Sequence, residues 1–228
     1  MPLLLRLQSV SGVLPLTAFF GLHLWINARA TQGRRAYETW VYALQALPGR
    51  RLVELVFIAL PLGFHAVYGV LLLLGRVPSY PEAPDAHPWS RSMQRASAIA
   101  AMLFVAFHVV AIRLPLLEGV LAPADLHPRL SEDLSTTSGI GLPVSATVYL
   151  LGLAATSYHL ANGVSRFISR AGAGRTPRAR RAISIGCTLL GSALFFLGAN
   201  TVIYFATGAP LLGVHDEGPL AKSRGRRT

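Results

Sequence analysis

Residues 55–75 read LVFIALPLGFHAVYGVLLLLG, and these 21 residues contain no Asp, Glu, Lys or Arg. About 20 predominantly apolar residues in a helix cross the hydrocarbon core of a bilayer. Lipid offers the backbone no hydrogen-bond partners, so a segment of this length crosses as an α-helix. The segment therefore predicts a transmembrane helix with one ionisable side chain, His65, near its middle.

Four more uncharged runs follow the same pattern, at residues 7–28, 96–112, 134–165 and 182–215. Hydrophobic residues make up 52% of the chain, charged residues 14%, and the mean hydropathy is +0.47. Soluble domains carry about 25% charged residues, so this composition excludes one, and it equally excludes a disordered chain. The chain is predicted to be an all-α integral membrane protein of one domain, 1–228. Its five spanning helices are expected at about 7–28, 52–75, 96–117, 142–168 and 183–206, followed by a basic polar tail at 207–228.

The formal net charge of +11 comes from 21 basic and 10 acidic residues. The positive charge lies in the loops, which explains it without a nucleic-acid partner. The densest group connects spans four and five and consists of Arg166, Arg170, Arg175, Arg178, Arg180 and Arg181. Cytoplasmic loops carry an excess of Lys and Arg, so this distribution favours a cytoplasmic location for that loop and for the N-terminus.

Four of the seven histidines lie inside the apolar runs, one in each of the first four spans: His23, His65, His108 and His159. A single membrane histidine is most simply explained by a hydrogen bond to a neighbouring helix. Four histidines in four helices are harder to explain in this way, because each unpaired polar group in lipid costs several kcal/mol. Ionisable residues within a membrane are candidates for function.

The depths of these histidines separate them into two pairs. Measured from the face where the first span ends, His23 and His108 lie six and five residues deep, whereas His65 and His159 lie 14 and 16 residues deep. At about 1.5 Å per residue, the two layers are roughly 14 Å apart. Two haems, each ligated by two histidines and stacked across a bundle, require this arrangement. The first four helices are therefore predicted to form a haem-binding bundle, with the fifth helix peripheral.

Other cofactor chemistry fits the pattern less well. A single metal centre would need all four histidines at one depth, and the spans contain no lysine for a retinal Schiff base. The one cysteine, Cys187, excludes a disulfide framework, a CxxC redox pair and haem attachment through a CxxCH motif.

Several longer stretches carry a family resemblance in addition. They are LRLQSVSGVLPL at 5–16, HLWIN at 23–27 with ATQG at 30–33, residues 54–69 with Pro61 before HAVYG, Gln94-Arg95 with His108 thirteen residues after the arginine, and HLANG at 159–163. Over residues 5–206 the chain resembles the di-haem cytochrome b membrane anchor of succinate dehydrogenases and fumarate reductases, the single-subunit type with five helices.

The resemblance implies that His65 and His159 are the axial ligands of a proximal haem and that His23 and His108 ligate a distal one. It also implies partners on the cytoplasmic face of a bacterial inner membrane, namely a flavoprotein with FAD and an iron–sulfur protein, in a complex that can form a higher oligomer. Electrons would pass from the iron–sulfur protein through two b haems to a quinone, and the two-haem type suggests menaquinone.

Five further residues are candidates for the site. Glu54 matches a carboxylate of the family and would transfer protons at a quinone site, or would simply lie at the membrane interface. Arg91 and Arg95 are candidates for contacts with the propionates of the proximal haem, and Arg29 and Arg113 for those of the distal haem. Anchoring of helix ends at the interface explains each arginine equally well.

The chain departs from the family pattern in two places. Relatives often have a histidine at the position of Gln8, and no carboxylate lies near His159 for a proton path. The remaining histidines, His87, His127 and His215, fall in predicted loops or in the tail and are expected to be solvated.

Two alternative functions remain. The chain might anchor another quinone-linked di-haem complex, of a nitrate reductase or a hydrogenase, although nitrate reductase anchors would place ligands on the last helix and residues 182–206 contain no histidine. A haem-free transporter could relay protons through its histidines, but neither midplane carboxylates nor internal repeats are present.

Overall fold

A computed structural model describes residues 3–79, 88–139 and 141–212. Its helices are α1 (Leu3–Gln32), α2 (Arg34–Gln45), α3 (Arg50–Leu73), α4 (Trp89–Glu118), α5 (Leu126–Ser135), α6 (Val144–Ala173) and α7 (Pro177–Thr207). The described residues include no strand. Helices α1, α3, α4, α6 and α7 are each long and apolar enough to cross a membrane, which confirms the predicted all-α membrane architecture.

The surface of the five long helices is apolar. Val67, Leu103, Leu151 and Leu189 each expose between 63% and 67% of their area. A soluble protein rarely leaves so many large apolar side chains in contact with water. In a bilayer these side chains face lipid. The helices also extend beyond the uncharged runs, because helical hydrogen bonding continues where the apolar surface ends.

Helices α3 and α4 each contain one widened turn ahead of a proline. The turn Leu55–Ala59 of α3 and the turn Val109–Arg113 of α4 have π-helical hydrogen bonding, and Pro61 and Pro115 follow them closely. A proline inside a helix removes one hydrogen bond and crowds the carbonyl of the preceding turn. The π-turns absorb that local disruption, and such turns occur frequently at functional sites.

Helix α7 packs against α6 and α1 through glycines. A Cβ atom added to Gly191 would lie 2.7 Å from the Cβ of Ala161, and one added to Gly198 would lie 2.6 Å from Leu153 Cδ2. Small residues let membrane helices approach closely where no hydrophobic effect drives them together. The four histidine-bearing helices are α1, α3, α4 and α6, and α7 supports them from outside.

The two short helices close one end of the bundle, which we call the capped end. Helix α2 buries Tyr37 and Val41, and α5 buries Leu126, Leu130 and Leu134. These side chains form one apolar cluster with the adjoining ends of α1, α4, α6 and α7. The opposite end carries the loop from Arg166 to Arg181 and is called the arginine end. The described residues stop at 212, so most of the predicted tail at 207–228 lies outside them.

Candidate functional site

The four membrane histidines meet as two facing pairs. The ring centroids of His23 on α1 and His108 on α4 are 5.7 Å apart, with an interplanar angle of 79°. Those of His65 on α3 and His159 on α6 are 6.2 Å apart, with an angle of 77°. The first pair lies towards the capped end and the second towards the arginine end. These are the partners that the depth argument joins.

A single large cavity connects the two pairs. Its volume is about 2350 Å³, and all four histidines line it. Pockets for small molecules usually measure about 300–1,000 Å³, so this cavity has room for more than one large ligand. It extends from Glu54 and Arg113 at the capped end to Arg91 and Arg166 at the arginine end.

The ring of His65 is oriented by the backbone of α1. Its Nδ1 lies 3.0 Å from the carbonyl oxygen of Gln8. A carbonyl only accepts hydrogen bonds, so Nδ1 carries the proton of the neutral ring and Nε2 keeps a free lone pair. The ring also lies directly on the α1 backbone, since a Cβ added to Gly12 would be 2.3 Å from His65 Cε1. A helical glycine at this position is therefore required by the histidine.

The ring of His159 is oriented by an amide pair. Nε2 of Gln94, on α4, lies 3.0 Å from Nδ1 of His159 and donates to the carbonyl oxygen of His159 at 3.3 Å. Asn162, one turn after His159 on α6, donates through Nδ2 to Oε1 of Gln94 at 2.7 Å. The sequence gives Gln94 only as part of a family motif, and these contacts assign it a place beside the histidine.

The pair at the capped end has different partners. Nδ1 of His108 lies 3.1 Å from the hydroxyl oxygen of Tyr149 on α6. Asn27 donates through Nδ2 to the backbone oxygen of His23 at 2.8 Å, and the same amide nitrogen lies 3.5 Å from His23 Nε2. Tyr149 was not singled out from the sequence, because an isolated tyrosine in an apolar run gives no signal of its partner.

The residues of both pairs fit a haem iron with two histidine ligands. An imidazole nitrogen lies roughly 2 Å from a metal that it ligates, so two rings on opposite sides of one iron have centroids about 6 Å apart. The separations of 5.7 Å and 6.2 Å agree with this distance. Histidine ligands usually donate their second ring nitrogen to a fixed acceptor, as His65 does to Gln8. Among the described residues, no three His, Cys, Asp or Glu side chains converge on one point.

Glu54 lies in an ion-pair network at the capped end. Its carboxylate accepts from Nη1 of Arg50 at 2.8 Å, and its other oxygen pairs with Nη2 of Arg113. The three side chains are 21% to 30% exposed and line the cavity. Glu54 immediately precedes the π-turn of α3, and Arg113 ends the π-turn of α4. The structure thus places Arg113 against Glu54, a partner that the sequence did not indicate.

The other three candidate arginines lie in two different places. Arg91 and Arg95 line the cavity at the arginine end, together with Arg166, which donates to the backbone oxygen of Ser90 at 2.9 Å. Arg166 was noticed in the sequence only for its charge.

Arg29 lies apart from the cavity. Its guanidinium stacks 4.0 Å from the ring centroid of Trp25 and 5.9 Å from that of Trp40. Arg29 is not among the residues that line the cavity in the described part of the chain. Stacked on two tryptophans at a helix end, Arg29 has the surroundings of an interfacial anchor.

The prediction that His127 is solvated is wrong. His127 lies on α5, and its ring packs against Tyr37, Tyr204 and Phe205 with centroid separations of 5.8, 6.2 and 5.2 Å. Burial, followed by the positive charge of Arg34, lowers the pKa of His127 below its usual value. Burial likewise raises the pKa of Tyr37. The neighbouring Pro128 suggested a loop, but proline is tolerated in the first turn of a helix. His87 and His215 lie outside the described residues.

Comparison with known proteins gives one relative. No protein-family model and no solved structure matches the chain. The chain is 28% identical over 200 residues to the succinate dehydrogenase cytochrome b558 subunit of Bacillus subtilis (strain 168), and the match covers 88% of this chain and 95% of that subunit. The family resemblance predicted from the sequence is thereby confirmed: along most of its length, this chain is similar to a cytochrome b subunit of succinate dehydrogenase.

Proposed function

We propose that this chain is the membrane anchor and electron-transfer subunit of a succinate:quinone oxidoreductase. In this role it passes electrons from an iron–sulfur subunit through two b haems to a quinone, for which menaquinone is the candidate. The observation that carries the proposal is the presence of two facing histidine pairs in one cavity of a five-helix membrane bundle. The similarity to the Bacillus subtilis subunit supports it independently.

The histidine pairs divide the two haems between the ends of the bundle. His65 and His159 hold the proximal haem at the arginine end, and His23 and His108 hold the distal haem at the capped end. Haems ligated by two histidines supply one-electron carriers without an open coordination site, so they transfer electrons and do not bind oxygen. The protein contributes ring orientation, through the carbonyl of Gln8 on His65 and through the hydrogen-bonding groups beside the other rings.

The cavity wall at each end has groups suited to the chemistry proposed there. Reduction of a quinone takes up protons as well as electrons, and the Glu54 carboxylate at the capped end is positioned to deliver them. Arg50 and Arg113 hold this carboxylate at the edge of the cavity from two sides. At the arginine end, Arg91 and Arg95 provide positive charge for the propionates of the proximal haem.

The charge distribution supports an orientation for the chain. Every acidic residue in the described part of the chain belongs to the capped end: Glu38, Glu54, Glu118, Asp125, Glu132 and Asp133. The arginine end therefore carries uncompensated positive charge within those residues. By the positive-inside rule it faces the cytoplasm of a bacterial cell, with the N-terminus on the same side. The flavoprotein with FAD and the iron–sulfur protein then dock at the arginine end, and quinone reacts near the outer face.

The test is a haem analysis of the protein purified from membranes. We expect a reduced-minus-oxidised spectrum of b-type haem and two haems per chain. A chain that binds one haem contradicts the di-haem arrangement, and a chain that binds none contradicts the proposed function. In both cases the protein should be expressed together with its partner subunits, so that a missing haem is not caused by incomplete assembly.

A further inference from the structure

We propose that Gln94 is a positioning residue for His159 and that, held in place by Asn162, it sets the redox potential of the haem at the arginine end. This inference rests on the proposed function, because it requires a haem between His65 and His159. The similarity to the Bacillus subtilis subunit does not supply it. The inference comes from the hydrogen bonds that connect three side chains on two helices.

Gln94 contacts His159 at two points. Its side-chain nitrogen lies 3.0 Å from the ring Nδ1 and 3.3 Å from the backbone oxygen of the same residue. Asn162 fixes the other end of the amide, with 2.7 Å between its Nδ2 and Oε1 of Gln94. Both contacted residues lie on one face of α6, three positions apart. Gly163 leaves space beside them, since a Cβ at Gly163 would lie 3.9 Å from the nitrogen of Gln94.

The facing histidine has no comparable side-chain partner for tuning. The Nδ1 proton of His65 goes to the backbone carbonyl of Gln8, which no substitution removes. Of the two rings at the arginine end, His159 is therefore the one whose Nδ1 partner the sequence can change. A glutamine there is a choice between a carboxylate, which accepts strongly, and an apolar side chain, which does not accept at all.

The amide of Gln94 can serve the ring in either protonation state, because one end donates and the other accepts. When Nε2 of His159 binds iron, Nδ1 carries the proton and takes the amide oxygen as its acceptor. The amide nitrogen then turns to the side-chain oxygen of Asn162, which reverses its own amide in the same way. An acceptor on the second ring nitrogen fixes the ring and makes the imidazole a stronger ligand. A stronger ligand stabilises ferric over ferrous iron and lowers the potential.

The experiment is a redox titration of the complex carrying Gln94→Leu or Gln94→Glu. Gln94→Leu removes the acceptor, so we expect the potential of the haem at the arginine end to rise. Gln94→Glu has nearly the same shape and is a stronger acceptor, so we expect that potential to fall. The haem at the capped end should keep its potential in both variants. Asn162→Ala should shift the same haem in the direction of Gln94→Leu, by a smaller amount.

A merely structural role would move both Gln94 variants in one direction or leave both potentials unchanged, and either result overturns the proposal. If Gln94→Leu loses the haem, Gln94→Glu decides: a lower potential supports the proposal and an unchanged or higher one overturns it. Ser97→Ala is the matched control, because this buried hydroxyl lies one turn further along α4 and bonds the backbone oxygen of residue 94, without contact to His159. Absence of haem from the unaltered complex would contradict the proposed function instead.

Discussion

Substitution of Gly12 by alanine should remove one of the two haems. The new Cβ atom would lie 2.3 Å from Cε1 and 2.4 Å from Nδ1 of His65, whereas ordinary van der Waals contact begins at 3.4 Å. The imidazole must therefore move by about 1 Å, or α1 and α3 must separate. Overpacking of this kind typically costs about 1–3 kcal/mol.

The displacement acts on both nitrogens of the ring. Nδ1 would be pushed from its 3.0 Å contact with the carbonyl of Gln8, and a buried hydrogen bond lost in this way costs about 1–3 kcal/mol. Nε2 would move by about half of the roughly 2 Å that separates a ligating nitrogen from its metal. Ligation by His65 does not survive a shift of that size, whereas the pair formed by His23 and His108 is untouched.

The assay is the haem content per chain, with the reduced-minus-oxidised spectrum of the purified complex. We expect Gly12→Ala to fall from two haems to one and to keep the spectral component of the haem at the capped end. Gly21→Ala is the control, because nothing lies within 4 Å of a Cβ at that position of the same helix. A Gly12→Ala protein with two haems and an unaltered spectrum would refute the contact between α1 and the His65 ring.

Three more predictions concern the capped end. Tyr149→Phe removes the hydroxyl beside His108, so a redox titration should show a changed potential for that haem alone; a shift of the other haem would contradict the pairing. Glu54→Gln should lower quinone reduction by about 10²–10⁴-fold with haem content unchanged, as for loss of an acid–base group, and turnover within twofold of the parent would exclude that role. Burial lowers the pKa of His127, so its stabilisation is complete above about pH 6.5 and is lost as the pH falls below this value. Thermal unfolding between pH 5 and 8 should therefore depend less on pH in His127→Leu, and equal pH dependence in both proteins would contradict the packing of His127.

The five membrane helices can be predicted from the sequence because lipid imposes a strict condition. An uncharged run as long as residues 55–75 has few alternatives to a spanning helix. The bilayer also gives every helix a common origin for depth, which is why counting residues from one face joins His23 with His108 and His65 with His159. Soluble bundles lack this reference plane, and the same count there would have no physical basis.

The hydrogen-bond partners of the histidines are not accessible in this way. Depth fixes the height of a residue in the membrane, but it leaves the rotation of each helix about its axis open. Gln94 reaches His159 across 65 positions of the chain, and Arg113 reaches Glu54 across 59. Each contact depends on which faces of two helices meet, and that is decided by close packing between them.

The capped end was missed for a different reason. Leu126, Leu130 and Leu134 recur every four residues, which is the helical period, but Pro128 among them favoured a loop. The pattern is also only three residues long, because α5 covers the end of a bundle and buries one narrow stripe. His127 follows the first of these leucines and is carried into the aromatic cluster by the same helix.

The π-turns of α3 and α4 contain one residue more than a regular turn, and this has a consequence for related chains. A regular helix rotates by about 100° per residue, so deleting one residue from the turn Leu55–Ala59 would rotate Glu54 by about that angle relative to His65. The carboxylate would then point out of the bundle, while the histidine ligands stayed where they are. A one-codon deletion is thus sufficient to uncouple the acidic group from the metal-binding layers, and chains of this architecture that handle no protons at this end could differ from the present one by no more than that.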